Sequence, residues 1–170
     1  MKRLVLLLAL LAGGAAVWAE AVVDGKVAAG EYASSKSVMN GDATLSWSWD
    51  AKGGITIALT AKNTGWIAVG LGTRTMTGSA MYMGYVDAKG KAVFSEQTGA
   101  EHIHSPTGTK LADKSAVTLT GGVEVLEFHL PAGKIPTKGK NVPFIVAFSK
   151  KADLTSPHGD NYDIGSFPLP

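Results

Sequence analysis

Gly65-Trp66-Ile67-Ala68-Val69-Gly70-Leu71-Gly72-Thr73-Arg74-Thr75-Met76-Thr77-Gly78-Ser79-Ala80-Met81-Tyr82-Met83-Gly84-Tyr85-Val86-Asp87 is the stretch whose reading decides the fold. Two alternating apolar runs, residues 66–71 and 80–86, flank a short polar segment with glycines at both ends. Side chains of a strand alternate between two faces, so this pattern predicts two strands and a connecting loop. Met76 sits in the middle of that loop. A flexible thioether outside a strand is either a plug over the end of a β-sandwich or a soft metal ligand aimed into a pocket.

The same alternation runs outward in both directions. Leu45, Trp47 and Trp49 alternate with Thr44, Ser46 and Ser48; Asp50-Ala51-Lys52-Gly53-Gly54 turns the chain into Ile55, Ile57 and Leu59, a hairpin signal. Asn63-Thr64-Gly65 leads into the central pair, and Asp87-Ala88-Lys89-Gly90-Lys91 closes it before Ala92-Val93-Phe94. Residues 117–120 and 123–130 are separated by Gly121-Gly122, a second two-residue hairpin turn, and residues 141–148 form a further apolar strand. No segment of helical period and useful length follows residue 20. Short strands at regular spacing with Gly-rich turns predict an all-β fold, a single antiparallel β-sandwich of immunoglobulin-like two-sheet architecture. Residues 95–114 and the tail from residue 150 are polar and aperiodic, and are read as long loops.

Met1-Lys2-Arg3, followed by an apolar run over residues 4–19 and small residues at Ala19 and Ala21, has the layout of a cleaved secretory signal peptide. The run is shorter than the ~20 residues a spanning helix needs, so no membrane span is expected in the mature chain. The expected organisation is a signal peptide over residues 1–19 and one domain over residues 22–170, exported to the periplasm or the extracellular space. The chain has no cysteine. That excludes disulfides, a lipid-modified cysteine, a thiol nucleophile, a thiolate metal site and the Cys-x-x-Cys-His attachment of covalent haem. A small exported domain of this kind must be held by its own core.

Sixteen Lys and Arg stand against fourteen Asp and Glu. Cleavage before Glu20 removes Lys2 and Arg3, which leaves fourteen of each sign. The apparent basicity belongs to the leader, and no electrostatic case exists for nucleic acid or an acidic membrane surface.

Catalytic patterns are missing: no Gly-x-Ser-x-Gly turn occurs, and carboxylates such as Glu96 and Glu101 are scattered through the expected loops. Of the four histidines, His129 shares a strand face with Val125 and Glu127, opposite Leu126, Phe128 and Leu130, and reads as a surface residue. His102 and His104 form a His-x-His pair, a weak metal signal without a third ligand. His158 lies in a Pro-His-Gly turn that by itself requires no function.

From Asp24 to Gly165 the chain resembles the DOMON domain, an exported β-sandwich module found in dopamine β-monooxygenase-type proteins, cellobiose dehydrogenase and cytochrome b561-linked proteins. The marks are Asp24-Gly25, Gly30-Glu31-Tyr32, Trp47-Ser48-Trp49, the run from Thr64 to Gly72, Met76-Thr77-Gly78-Ser79-Ala80, Gly84-Tyr85-Val86-Asp87, Leu126-Glu127-Phe128 and His158-Gly159. In haem-binding members a methionine ahead of the Gly-Ser/Ala-containing strand and a histidine near the C-terminal end are the axial ligands of a non-covalent haem b. Met76 and His158 stand in those places; Met81 or Met83 would replace Met76, and His102 or His104 would replace His158, if the alignment is shifted by a few residues. The resemblance therefore implies an electron carrier rather than an enzyme, with both axial positions filled, and a redox partner protein, a membrane cytochrome or an oxidoreductase. Relatives often carry an arginine after that histidine for a haem propionate; here residues 160–165 offer none, which leaves Lys150, Lys151, Arg74 or solvent. The family also contains haem-free modules that bind carbohydrate or small ligands, for which Trp47, Trp49, Trp66, Tyr82 and Tyr85 would be stacking faces. A third reading is an accessory subunit of a larger oxidoreductase.

Overall fold

Asp-Ala-Lys-Gly occurs twice, at residues 50–53 and 87–90, and folds the same way both times. Asp50 Oδ1 accepts the N–H groups of Lys52 (2.7 Å) and Gly54 (2.9 Å), and Asp87 Oδ1 those of Lys89 (2.8 Å) and Lys91 (2.9 Å). A short carboxylate that bonds its own backbone two and four residues on closes a tight connection between antiparallel strands.

The structure is a computed structural model and describes residues 21–170; the leader expected over residues 1–19 lies outside them. The described residues form eleven strands: β1 (Ser34–Val38), β2 (Ala43–Trp49), β3 (Ile55–Ala61), β4 (Trp66–Leu71), β5 (Ala80–Val86), β6 (Ala92–Ala100), β7 (Ile103–Pro106), β8 (Lys114–Thr120), β9 (Val123–Leu130), β10 (Asn141–Ser149) and β11 (Tyr162–Pro168). The first sheet has the order β1-β2-β3-β9-β8 and the second β11-β10-β4-β5-β6-β7, with every paired neighbour antiparallel. The fold is all-β, a two-sheet sandwich, as the alternation predicts. No described helix is long and apolar enough to cross a membrane.

The core lies between the sheets and is filled by the inward halves of the alternating strands. Leu45, Ile57, Leu59, Leu126 and Phe128 come from one sheet and Ile67, Val69, Leu71, Tyr82, Phe144 and Val146 from the other, all buried. Aromatic pairs bridge the layers: Tyr82 stacks on Phe128 with centroids 4.2 Å apart, and Trp47 on Phe167 at 4.9 Å. Such pairs add about 1 kcal/mol beyond the area they bury.

Three expectations are corrected. Residues 95–114 are not one loop, because β6 extends to Ala100 and β7 pairs with it. The tail ends in β11, paired with β10 from Tyr162 to Pro168. His129 is not a surface residue: its side chain is 14% exposed and lies between Asp50 (Nε2 to Oδ2, 3.0 Å) and Asp113 (Nδ1 to Oδ1, 2.6 Å). Burial pulls the pKa of His129 down, but the two carboxylates more than reverse this and hold it above its ordinary value. Alternation assigns this residue to the correct face. What it misses is what covers that face: the β2–β3 turn and the connection before β8 flank His129, and the N-terminal segment covers Glu127. Asp24 and Gly25 donate their N–H groups to Glu127 (3.1 and 2.6 Å), and the Tyr32 hydroxyl donates to the same carboxylate (2.6 Å).

Candidate functional site

β4 is buried along its whole length, on both faces. The inward residues Ile67, Val69 and Leu71 fill the core, so something else must cover Trp66, Ala68 and Gly70 on the outside. That cover is a second cluster in which Trp66, Ala68, Met81, Met83 and Ala147 pack with Met76, Tyr85 and Leu154. Above it is a cavity of about 280 Å³. Its floor is the outer face of β4, β5 and β10, made largely of Ala68, Gly70, Met81, Ile145 and Ala147. Small side chains in neighbouring rows leave a shallow, flat, apolar bed. Met81 is part of the floor, and Met83 is fully buried beside it.

Two walls rise from this floor. One is the turn between β4 and β5 that carries Met76. Ser79 donates twice to the Met76 carbonyl, from its N–H (3.2 Å) and its Oγ (3.0 Å), and Thr75 Oγ1 donates to Thr77 O (3.2 Å). The turn is also bolted to β6 and the β6–β7 connection: Gly78 N–H donates to Gly99 O (3.0 Å) and Glu101 N–H to Thr77 Oγ1 (2.8 Å). Gly99 has no alternative there, since a Cβ would run into the Met76 carbonyl. Met76 is half-buried and lines the cavity.

The second wall is the turn between β10 and β11. Asp153 holds it, accepting from Thr155 Oγ1 (2.7 Å) and Ser156 Oγ (2.8 Å). The indole Nε1 of Trp66 reaches up from the floor to Ser156 O at 3.0 Å and anchors the turn to β4. His158 follows, half-buried, with its ring edge-on to Trp66 at 6.4 Å. Gly159, at φ +58°, turns its carbonyl back to accept from His158 Nδ1 at 2.6 Å. A carbonyl can only accept, so Nδ1 carries the proton and Nε2 of the neutral ring keeps its lone pair. That is the state in which imidazole ligates a metal.

The cavity thus brings together both residues singled out from the sequence, one from each wall. His102 and His104 line it as well. Burial lowers the pKa of His104, and the nearby His158 adds to the effect, which favours a neutral ring. Among the described residues, no group of three or more His, Asp or Glu side chains converges tightly enough to hold a metal ion.

The other sequence candidates lie elsewhere. Arg74 turns away to Gly165 O and Ser166 Oγ, each at 3.3 Å. Lys150 rests over the Phe148 ring at 4.9 Å, and neither it nor Lys151 lines the cavity. Of the aromatic faces considered for sugar stacking, Trp66 and Tyr82 are buried, and Trp47 already stacks on Phe167.

Sequence reasoning did not find the Trp66 anchor or the place of His104. The indole signal was present, in an aromatic residue whose N–H must find an acceptor when buried.

An antiparallel two-sheet sandwich with a loop-walled apolar cavity on the outer face of one sheet defines the class of protein. The DOMON domain profile matches residues 39–131, more than half of the chain, and the chain belongs to the DOMON domain family. Met76 falls within the matched residues and His158 beyond them. No curated protein matches the sequence. Among solved structures, the chain is similar to the cytochrome b domain of pyranose dehydrogenase from Coprinopsis cinerea, at 17% identity and a TM-score of 0.61 over 79% of this chain and 80% of that one. It is also similar to the cytochrome domain of Myriococcum thermophilum cellobiose dehydrogenase, at 15% identity and a TM-score of 0.52 over 75% of each. At these identities the likeness is one of fold.

Proposed function

We propose that this chain is an exported b-type cytochrome domain that binds one non-covalent haem b in the outer cavity, with Met76 and His158 as axial ligands, and carries electrons. The observation behind this reading is the placement of Met76 and His158 on opposite walls above one flat apolar floor. The donor set suits the group. A neutral imidazole with a free Nε2 and a thioether fill both axial positions of an iron porphyrin, and the absence of cysteine is compatible with non-covalent binding.

The haem supplies reversible one-electron chemistry, and the soft thioether favours the reduced iron. The protein's own residues do the rest. The turn held by Ser79 and the turn held by Trp66 and Gly159 fix the two ligands before binding, which lowers the ordering cost of capture. Ala68, Gly70 and Ala147 leave room for a flat ring, while Met81, Ile145 and Trp66 keep water from one side of it. Met76 and His158 would together hold the group and leave it no open position for a substrate, so the role would be electron transfer to and from a redox partner protein. Export follows from the proposed signal peptide at residues 1–19, with the domain at residues 22–170 delivered to the periplasm or the extracellular space.

The test is the visible spectrum of the purified chain, oxidised and then reduced with dithionite, before and after haem addition. The expected result is a sharp Soret band with split α and β bands on reduction, both altered by Met76→Ala and His158→Ala while the far-ultraviolet circular dichroism is kept. A folded protein that takes up no haem on reconstitution overturns the reading.

A further inference from the structure

We propose that His104 is a third haem-iron ligand of this cavity, one that stands on the Met76 wall and takes the axial position opposite His158 when the thioether is absent. This rests on the cytochrome reading above and deepens it. By sequence alone His104 is half of a weak His-x-His pair; position, orientation and chemistry each change that.

Position comes from the sheet register. His104 in β7 pairs directly with Gly99 in β6, and Gly99 packs so closely against Met76 that an added Cβ would stand 2.8 Å from its Cγ. Thr77 forms a parallel bridge with the same glycine. The Met76 turn and the β6–β7 hairpin are therefore one body, and Met76 and His104 are next-door side chains on it. Gly99 and Gln97 share the outer face with Met81, which pairs with Gln97 across β5 and β6. Being opposite Gly99, His104 projects on that same face, over the cavity floor.

Orientation comes from Gln97. This side chain is 4% exposed, and its Nε2 donates to Ser95 Oγ at 3.0 Å, which leaves Oε1 as the acceptor for His104 Nδ1–H. The ring is thereby held as the tautomer with a free lone pair on Nε2, the arrangement Gly159 imposes on His158. A buried amide spent on orienting a half-buried imidazole is the usual outer support of a ligating histidine.

Chemistry separates the two neighbours. Thioether sulfur is the softer donor and favours Fe(II), whereas imidazole is the better partner for Fe(III). A wall that carries both offers the iron a choice, with His158 constant on the other side. Loss of the sulfur then leaves a six-coordinate iron of lower reduction potential instead of an open one.

The experiment compares haem-loaded Met76→Ala, Met76→Ala/His104→Ala and Met76→Ala/His102→Ala by absorption, electron paramagnetic resonance and potentiometry. Met76→Ala is expected to stay six-coordinate and low-spin with its potential shifted down. Met76→Ala/His104→Ala is expected to become high-spin, whereas Met76→Ala/His102→Ala keeps the low-spin spectrum. A high-spin Met76→Ala protein overturns the proposal, and so does a Met76→Ala/His104→Ala protein that remains low-spin. A wild-type chain that binds no haem defeats the cytochrome reading itself, a different outcome from a wild type that is low-spin and a Met76→Ala variant that is not. Circular dichroism of each haem-free variant confirms that the sandwich is folded.

Discussion

Glu127 is a fully buried carboxylate on the outer face of β9, satisfied by the Asp24 and Gly25 amides and the Tyr32 hydroxyl. Burial raises its pKa, and these three donors oppose the rise by favouring the charged form. Removing one donor leaves a buried carboxylate underbonded, and a hydrogen bond to a charged group contributes about 1.5–3 kcal/mol. Tyr32→Phe is therefore expected to lower stability by about 2 kcal/mol in urea unfolding and to speed tryptic cleavage at Lys26, which lies in the segment the hydroxyl pins down. Unchanged unfolding and cleavage would show that the two amides suffice. Each of these residues was visible as a mark in the sequence, Asp24-Gly25, Glu31-Tyr32 and Glu127 alike. Their contact was not, because alternation reports the face of a strand and carries no information on a segment about a hundred residues away that covers it. His129 was misread because its two carboxylate partners come from the β2–β3 turn and the connection before β8, and the partnership of His104 with Gln97 was missed because it forms across a β6–β7 hairpin read as loop.

Strands were legible where they are flanked by strong turns and feed the core. Residues 66–71 and 80–86 are β4 and β5 residue for residue, and the Asp50 and Gly121-Gly122 turns fall where the hairpins were read. The strands overlooked, β1, β7 and β11, are all sheet edges. Half of an edge strand's backbone and much of its surface meet water, so its sequence needs no clean alternation. Opposite faces of one sheet also separate stability from function. Gly84 of β5 faces the core, where an added Cβ would stand 2.6 Å from Val117 Cγ2 and 3.2 Å from Leu126 Cδ1; Gly99 of β6 faces the Met76 turn. Gly84→Ala should cost about 1–3 kcal/mol of global stability through overpacking, with little change in haem retention. Gly99→Ala should displace the Met76 wall and speed haem loss by about ten-fold or more. Unfolding curves and haem transfer to an apo-acceptor protein measure both; equal haem retention in the two variants would contradict this division of faces.

At the scale of the whole molecule, two groups on β9 make stability pH-dependent, Glu124 where the two layers meet and His129 within the first sheet. Glu124 is fully buried at one end of the sandwich, and Asn63 Nδ2 joins its Oε2 (3.0 Å) to Trp66 O (3.1 Å) on β4 and Ser149 O (2.9 Å) on β10. Burial pushes its pKa to about 8, against which the Asn63 hydrogen bond pulls only weakly. His129, at the other end of the strand, clamps the β2–β3 turn to Asp113 and titrates above its ordinary 6.5. The signs agree. Glu124 is protonated in the folded chain and ionised in the unfolded one between about pH 4.5 and 8, so the folded state binds more protons there and stability falls as pH rises. The His129 contribution is complete below pH 6.5 and is lost as pH climbs through the raised value. In the opposite direction, Asp50 and Asp113 titrate below their ordinary 3.8 and His104 below its ordinary 6.5, so the stability present above those ordinary values is lost as pH falls through the folded ones. The His104 effect partly offsets the fall due to Glu124 and His129. Stability at fixed haem occupancy should therefore peak near pH 5 and decline toward pH 8, rather than hold a plateau through neutrality. Glu124→Gln keeps an acceptor for Asn63 and removes the buried acid, and is expected to raise stability at pH 8 by on the order of 3 kcal/mol while leaving pH 5 nearly unchanged. Urea unfolding from pH 4.5 to pH 8.5 for both proteins decides it, since a Glu124→Gln curve parallel to the wild type would mean that the carboxyl is ionised in the folded chain.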